Sequence, residues 1–371
     1  MTDPRILNLA KILIRYSTRV QPGDRVAIRG FPLEPQATPL VTEIYREVLR
    51  AGGYPHTLID LPGLRTLRMR EASEEQLRYI SPFIRMVMEE FEVEIRLTSL
   101  SNTRSMSNVP PERLNIVREA YKELVQTWFQ RSAEGHLRWV ATRFPTNALA
   151  QEAEMSLREF EDFFYSSCFA DCEDPIGEWQ AMRQEQERIA QLLEGKRHLE
   201  LRGPDIDLRL SIEGRRFIPC AGESNMPDGE IFTGPVEDSA DGWVRFSYPC
   251  IYQGYAVEGV ELKFEAGKVV EARAQKNEAF LHQTLRADAG AAYLGELGIG
   301  TNPNIQTFTG VMLFDEKMAG TLHLALGAGY PESGSRNQSS IHWDMLVNMR
   351  EGGEILADGE RIYESGKFLS K

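Results

Sequence analysis

Cysteine is scarce in this chain. Cys168, Cys172, Cys220 and Cys250 are the only four in 371 residues, too few to staple a fold of this size, and the Cys168 to Cys172 step is unlike a usual zinc pair. A disulfide framework is excluded, and buried or idle thiols are expected. Positive charge is also in deficit: 42 Lys and Arg against 55 Asp and Glu leave a formal charge of −13. Such a field repels phosphate backbones and anionic membrane surfaces, so nucleic acid and membrane are not expected as partners. Long apolar runs are missing, with nothing near the roughly eighteen residues of a membrane span. The opening segment carries Asp3, Arg5, Lys11 and Arg15 where a signal peptide needs an apolar core. These absences lead to the expectation of a soluble, cytoplasmic chain. A phosphate-cradling loop is absent too: Gly30-Phe31-Pro32-Leu33 has neither a GxGxxG nor a Lys-Ser/Thr ending. No residues for binding an organic cofactor are identified.

What is present is enough apolar material, 42% of the chain, to build a core in each of two domains at about 150 residues per domain. The first half reads as α/β. A helix-period segment around Ile6 to Leu13 precedes a strand at Arg25 to Ile28. A helix over Ala37 to Ala51 stops at Gly52-Gly53, and Pro55 to Ile59 reads as the next strand. Strand, helix, strand at that spacing predicts a parallel βαβ unit. Further helices are expected over 74–85, 111–130, 148–166 and 178–194, with a strand at 137–142. From His198 the pattern changes to period two, as in Ile206, Leu208, Leu210, Ile212 and in Val260, Leu262, Phe264. Hairpin turns are marked by Glu265-Ala266-Gly267-Lys268, Ala357-Asp358-Gly359-Glu360 and Glu364-Ser365-Gly366-Lys367, and one helix is expected at about 278–290. The predicted fold is an N-terminal α/β domain with parallel βαβ units, residues 1–195, and a C-terminal β-rich α+β domain carrying the metal site, residues 196–371.

Six histidines can be weighed singly. His56, His136, His198 and His282 sit among polar neighbours and read as surface or half-buried residues. His323 and His342 differ, each lying mid-strand in an apolar run beside glycine-rich turns. In Ile341-His342-Trp343-Asp344-Met345 strand geometry points His342 and Asp344 to one face and Trp343 to the other. That suits a metal, and equally a plain hydrogen-bonded pair. In Leu322-His323-Leu324 the histidine faces away from its apolar neighbours. Glu230 follows the Pro227-Asp228-Gly229 turn, and Glu296, read as lying at a helix exit, is bounded by Gly295, Gly298 and Gly300. Together Glu230, Glu296, His323, His342 and Asp344 form a five-ligand N/O set without thiolate, of the kind a pair of divalent first-row ions takes, with one carboxylate bridging.

The runs PDGEIFTGP, ELGIGTNPN, HLALGAGYP and NQSSIHWDM, in that order between about Asn225 and Arg350, resemble the thermophilic-type metallo-aminopeptidase family, that of aminopeptidase T, aminopeptidase S and PepS. The resemblance implies an aminopeptidase that releases N-terminal residues from short peptides with a free N-terminus, two divalent ions per chain and a homodimer. It puts the metal ligands on Glu230, Glu296, His323, His342 and Asp344, and supplies Tyr330 seven residues after His323. Zinc, cobalt, manganese and magnesium all accept such ligands. In the expected mechanism a two-metal-activated water attacks the peptide carbonyl, Glu230 or Glu296 shuttles the proton, and Tyr330 donates a hydrogen bond to the tetrahedral oxyanion. His323, His342 and Asp344 alone would also suit a mononuclear non-haem iron site, and the dihydroxypyridine ring-cleaving dioxygenases share this fold group. Glu230 and Glu296 favour hydrolysis, because a single iron needs no further acidic ligands.

Overall fold

The computed structural model describes residues 2–369, which form two compact units. One runs to Glu178 and takes back Gly222–Pro227; the other comprises Trp179–Ala221 and the chain from Asp228 onward. The division falls within the helix Pro175–Leu193, whereas the sequence patterning draws it at residue 195.

The first unit is built on a five-stranded parallel sheet. Its strands are β1 (Arg25–Gly30), β2 (Tyr54–Ile59), β3 (Val93–Thr98), β4 (Arg138–Arg143) and β6 (Asn225–Met226), in the order β2–β1–β3–β4–β6. The βαβ prediction holds: the helix Thr38–Arg50 crosses from β1 to β2 with Leu40, Ile44 and Val48 buried. Val26, Ala27, Ile28, Val93, Ile95 and Leu97 are fully buried, as befits central strands covered on both faces. β3 is missing from the expected set because its Glu94 and Arg96 make it read as polar. In the fold Glu94 is buried between Arg29 and Arg96 and accepts a 2.7 Å hydrogen bond from Trp128 Nε1. The helix expected at 74–85 is two, Glu74–Arg78 and Pro82–Glu90, since proline suits a first helical turn and not an interior. The helix expected at 148–166 likewise breaks into Asn147–Glu152 and Leu157–Ser167, the second begun by a Ser156–Glu159 capping box.

The second unit contains two large antiparallel sheets. The eight-stranded one orders Lys268–Arg273, Glu261–Glu265, Asp241–Arg245, Ile206–Ser211, His198–Gly203, Glu354–Ala357, Glu360–Glu364 and Lys367–Phe368. All three expected hairpins are present; Ala266-Gly267, Asp358-Gly359 and Ser365-Gly366 each place two consecutive residues at positive φ, the twist that two-residue hairpins require. The five-stranded sheet consists of β5 (Ile218–Cys220), β7 (Glu230–Thr233), β8 (Leu294–Gly300), β9 (Thr321–Gly327) and β10 (His342–Asn348), ordered β10–β9–β8–β7–β5.

Strand alternation divides this sheet chemically. Leu297, Ile299, Leu322, Leu324, Trp343, Met345 and Val347 join one apolar core with Leu199, Leu201, Ile206, Leu208 and Val244 of the larger sheet. Each such fully buried aliphatic side chain contributes about 1.5–3 kcal/mol. Glu296, His323, His342 and Asp344 occupy the alternate positions. Glu296 therefore lies within a strand, not at a helix exit, and the preceding helix is only Glu278–Thr284. The flanking glycines reflect close backbone approach: a Cβ on Gly295 would stand 2.3 Å from the Ala328 carbonyl oxygen, and one on Gly300 2.1 Å from that of Met318. Glycine is needed because neighbouring backbone fills the side-chain space.

Candidate metal centre

Four adjacent strands deliver the five expected ligands to one place. His323 Nε2 is 3.3 Å from Glu230 Oε2 and 3.3 Å from Glu296 Oε1. His342 Nε2 is 3.4 Å from Glu296 Oε2 and 3.3 Å from Asp344 Oδ1. Glu296 thus offers one oxygen to each imidazole, and the set resolves into two triads that share it: Glu230–Glu296–His323 and Glu296–His342–Asp344. Donor atoms bound at 2.0–2.2 Å to one ion stand about 3.0–3.5 Å apart at tetrahedral or octahedral corners, so these separations fit a divalent ion in each triad. Glu230 Oε2 is buried and accepts no hydrogen bond, an atom that needs a cation.

Local structure fixes the ligands. His342 Nδ1 lies 2.8 Å from the Ala328 carbonyl oxygen; donation there leaves Nε2 as the lone-pair nitrogen facing Glu296 and Asp344. His323 lies flat over β8 because its cross-strand partner is Gly298. A Cβ at Gly298 would fall 2.1 Å from both Cε1 and Nε2 of the ring. Tyr330 is 43% exposed, and its ring packs edge-on against Phe232 and His342, with centroids 5.3 and 5.2 Å away.

The charges at the site favour cations. Burial raises the pKa values of Glu230, Glu296 and Glu316 above the usual carboxylate range. Burial works against the charged form of His323, yet Glu296 and Glu230 outweigh it and lift this imidazole to about 9. His342 is likewise opposed by burial and raised to about 10 by Asp344 and Glu296. Both folded values exceed the ordinary 6.5, so their contribution to stability is complete below about pH 6.5 and is lost as pH climbs through 9 and 10. Chelator-stripped protein should therefore melt at progressively lower temperature from pH 6.5 to 10, while metal-loaded protein holds its melting temperature because ions replace the protons. Parallel pH profiles for the two forms would refute this account.

Two charged residues at the site escape sequence reasoning. Lys317, fully buried, places Nζ 3.1 Å from Glu230 Oε1 and in contact with Glu316 Oε1. The one signal that could have found them is the position of Asp315-Glu316-Lys317 between the apolar Met312-Leu313-Phe314 and Met318. The other four histidines are exposed or half-buried, as expected, and the four cysteines are unbridged. Among the described residues no helix is long and apolar enough to cross a membrane.

Comparison with known proteins gives the family and the fold. The model of the thermophilic metalloprotease family, M29, matches residues 2–368. Aminopeptidase T of Thermus thermophilus is 29% identical over 96% of this chain and 94% of its own length. Aminopeptidase 2 of Geobacillus stearothermophilus is 27% identical over 97% and 96%. PepS of Streptococcus thermophilus is 25% identical over 97% of each. The solved structure of Thermus thermophilus AmpT superposes with a TM-score of 0.84 at 24% identity, covering 99% of both chains. The 2,5-dihydroxypyridine dioxygenase of Pseudomonas putida shares the fold more distantly, with a TM-score of 0.60 at 13% identity over 99% and 97% of the two chains. The chain belongs to the thermophilic metalloprotease family, M29, and is a metal-dependent peptidase of that family.

Proposed function

We propose that this chain is an aminopeptidase that removes N-terminal residues from short peptides, with two divalent ions held by Glu230, Glu296, His323, His342 and Asp344. The observation that carries the reading is the sharing of Glu296, one oxygen to each triad. A single mononuclear site has no use for both Glu230 and Glu296. Ions in the two triads would lower the pKa of a water toward neutrality and polarise the scissile carbonyl.

The protein's own groups then divide the remaining work. Both oxygens of Glu296 face imidazoles, and Glu230 has one on Lys317 and one toward His323, so both read as holding residues. The carboxylate left to move a proton is Glu316, whose side chain is 18% exposed at the edge of the site. Partial desolvation of the Tyr330 phenol, reinforced by the negative charge of Glu296, Asp344 and Glu316, pushes its pKa well above the ordinary value, although the residue as a whole is part exposed. It stays protonated and serves as a donor to the oxyanion of the tetrahedral intermediate.

Elemental analysis of the purified protein, reconstituted in turn with zinc, cobalt, manganese and ferrous iron, tests the reading against release of amino acids from short peptides. About two ions per chain with peptide cleavage supports it. One iron per chain, silence on peptides and oxygen-consuming ring cleavage would replace it. Tyr330→Phe should lower kcat by about 10²-fold with metal content unchanged, and Glu316→Gln should lower kcat by about 10²–10⁴-fold, also without metal loss. An unchanged rate in either variant removes that residue's assigned role.

A further inference from the structure

Beyond the two triads lies a third. One ligand atom each from Cys220, Asp228 and Glu230 lies within 4.8 Å of the other two. Cys220 on β5 is the cross-strand partner of Glu230 on β7, and Asp228, 2% exposed, stands in the turn that leads into β7. The three groups form a row in which neighbours share a carboxylate: Glu296 joins the first to the second, and Glu230 joins the second to the third. By composition the third could hold a divalent ion as well, with a sulfur ligand.

A cation is already there. Lys317 is 0% exposed, and its Nζ lies 3.1 Å from Glu230 Oε1, the carboxylate common to the second and third groups. Its Nζ also touches Glu316 Oε1, so two carboxylates flank the buried amine. The backbone around it is pinned, with its N–H donating to the Phe314 carbonyl and its carbonyl accepting from Asn302 N–H. With the side chain fully buried, moving the ammonium away would break both of its carboxylate contacts. The count of charge agrees: Asp228, Glu230, Glu296, Glu316 and Asp344 as carboxylates with one lysine leave a deficit that two divalent ions would cancel and three would exceed.

Resting on the two-ion reading above, we propose that Lys317 is a positioning residue whose ammonium fills the third place in the row. It closes that place to a divalent ion and leaves Glu230 one oxygen, Oε2, to share with His323. The chain thereby limits its own metal stoichiometry, and Cys220 is kept out of the coordination chemistry.

The test is equilibrium dialysis of the full chain against cobalt(II), with elemental analysis and absorption spectroscopy, for wild type and for Lys317→Met. Wild type should saturate at about two ions and show no cobalt–thiolate charge-transfer band. Lys317→Met should saturate at about three and gain that band, and the double variant Lys317→Met/Cys220→Ser should lose it. A folded Lys317→Met variant that binds the wild-type number of ions with no sulfur band overturns the proposal. So does a wild type that takes a third ion or shows the band unaided. If Lys317→Met does not fold, Lys317→Gln stands in for it; if neither folds, the wild-type titration decides. Wild type saturating at one ion would overturn the two-ion reading, whereas the difference between wild type and variant speaks only to Lys317.

Discussion

Replacing Glu296 by glutamine should empty both metal positions at once. The variant keeps the size and one carbonyl oxygen of the side chain, but an amide cannot supply an anionic oxygen to each of two imidazole-lined triads. Metal content should fall from about two ions per chain to nearly none at micromolar free metal, and peptide hydrolysis by about 10³-fold or more, the several kcal/mol that metal activation of water and carbonyl supplies. Asp344→Asn is the control. Asp344 belongs to one triad only, so about one ion should remain. Loss of a single ion from Glu296→Gln would show that the two triads do not depend on a common ligand.

The second large effect comes from a residue with no side chain. Gly298→Ala places a methyl 2.1 Å from Cε1 and Nε2 of His323, far inside van der Waals contact. The ring sits within a fully buried strand, so it cannot move without leaving its carboxylate partners. Overpacking of this kind costs about 1–3 kcal/mol of stability. A ligand displaced by an ångström costs about 10²-fold in rate. The expected result is a folded protein with a lowered melting temperature, about one ion per chain and activity reduced at least that far. Full metal content in a folded Gly298→Ala protein would mean that the sheet opens to accommodate the methyl.

How much of this was legible in the sequence depends on what kind of pattern carried it. His342 and Asp344 were readable because strand periodicity puts residues two apart on one face, and their 3.3 Å contact follows. The βαβ start and all three hairpins were readable because Gly-Gly stops and Xaa-Gly turns act locally. β3 was not, because Glu94 and Arg96 look solvated until Arg29 and Trp128, distant in sequence, are seen to satisfy Glu94. Glu296 reads as a helix exit because a helix is expected at 278–290, but that helix ends at Thr284, and the glycines around Glu296 make room for the backbones of Ala328 and Met318 and for the ring of His323. Lys317 was invisible for the same reason as β3: a buried charge is defined by partners that local pattern does not show.

The division of the five-stranded sheet into an apolar face and a ligand face makes the hydrophobic core the index for the chemistry. Leu322 and Leu324 flank His323, and Trp343 separates His342 from Asp344, so a slip of one residue in β9 or β10 would drive charged groups into the core and expose leucine and tryptophan together. A misregistered chain that keeps its fold but spoils its ligands is thereby excluded energetically. Selection for a dry interior proofreads the placement of every ligand those two strands contribute.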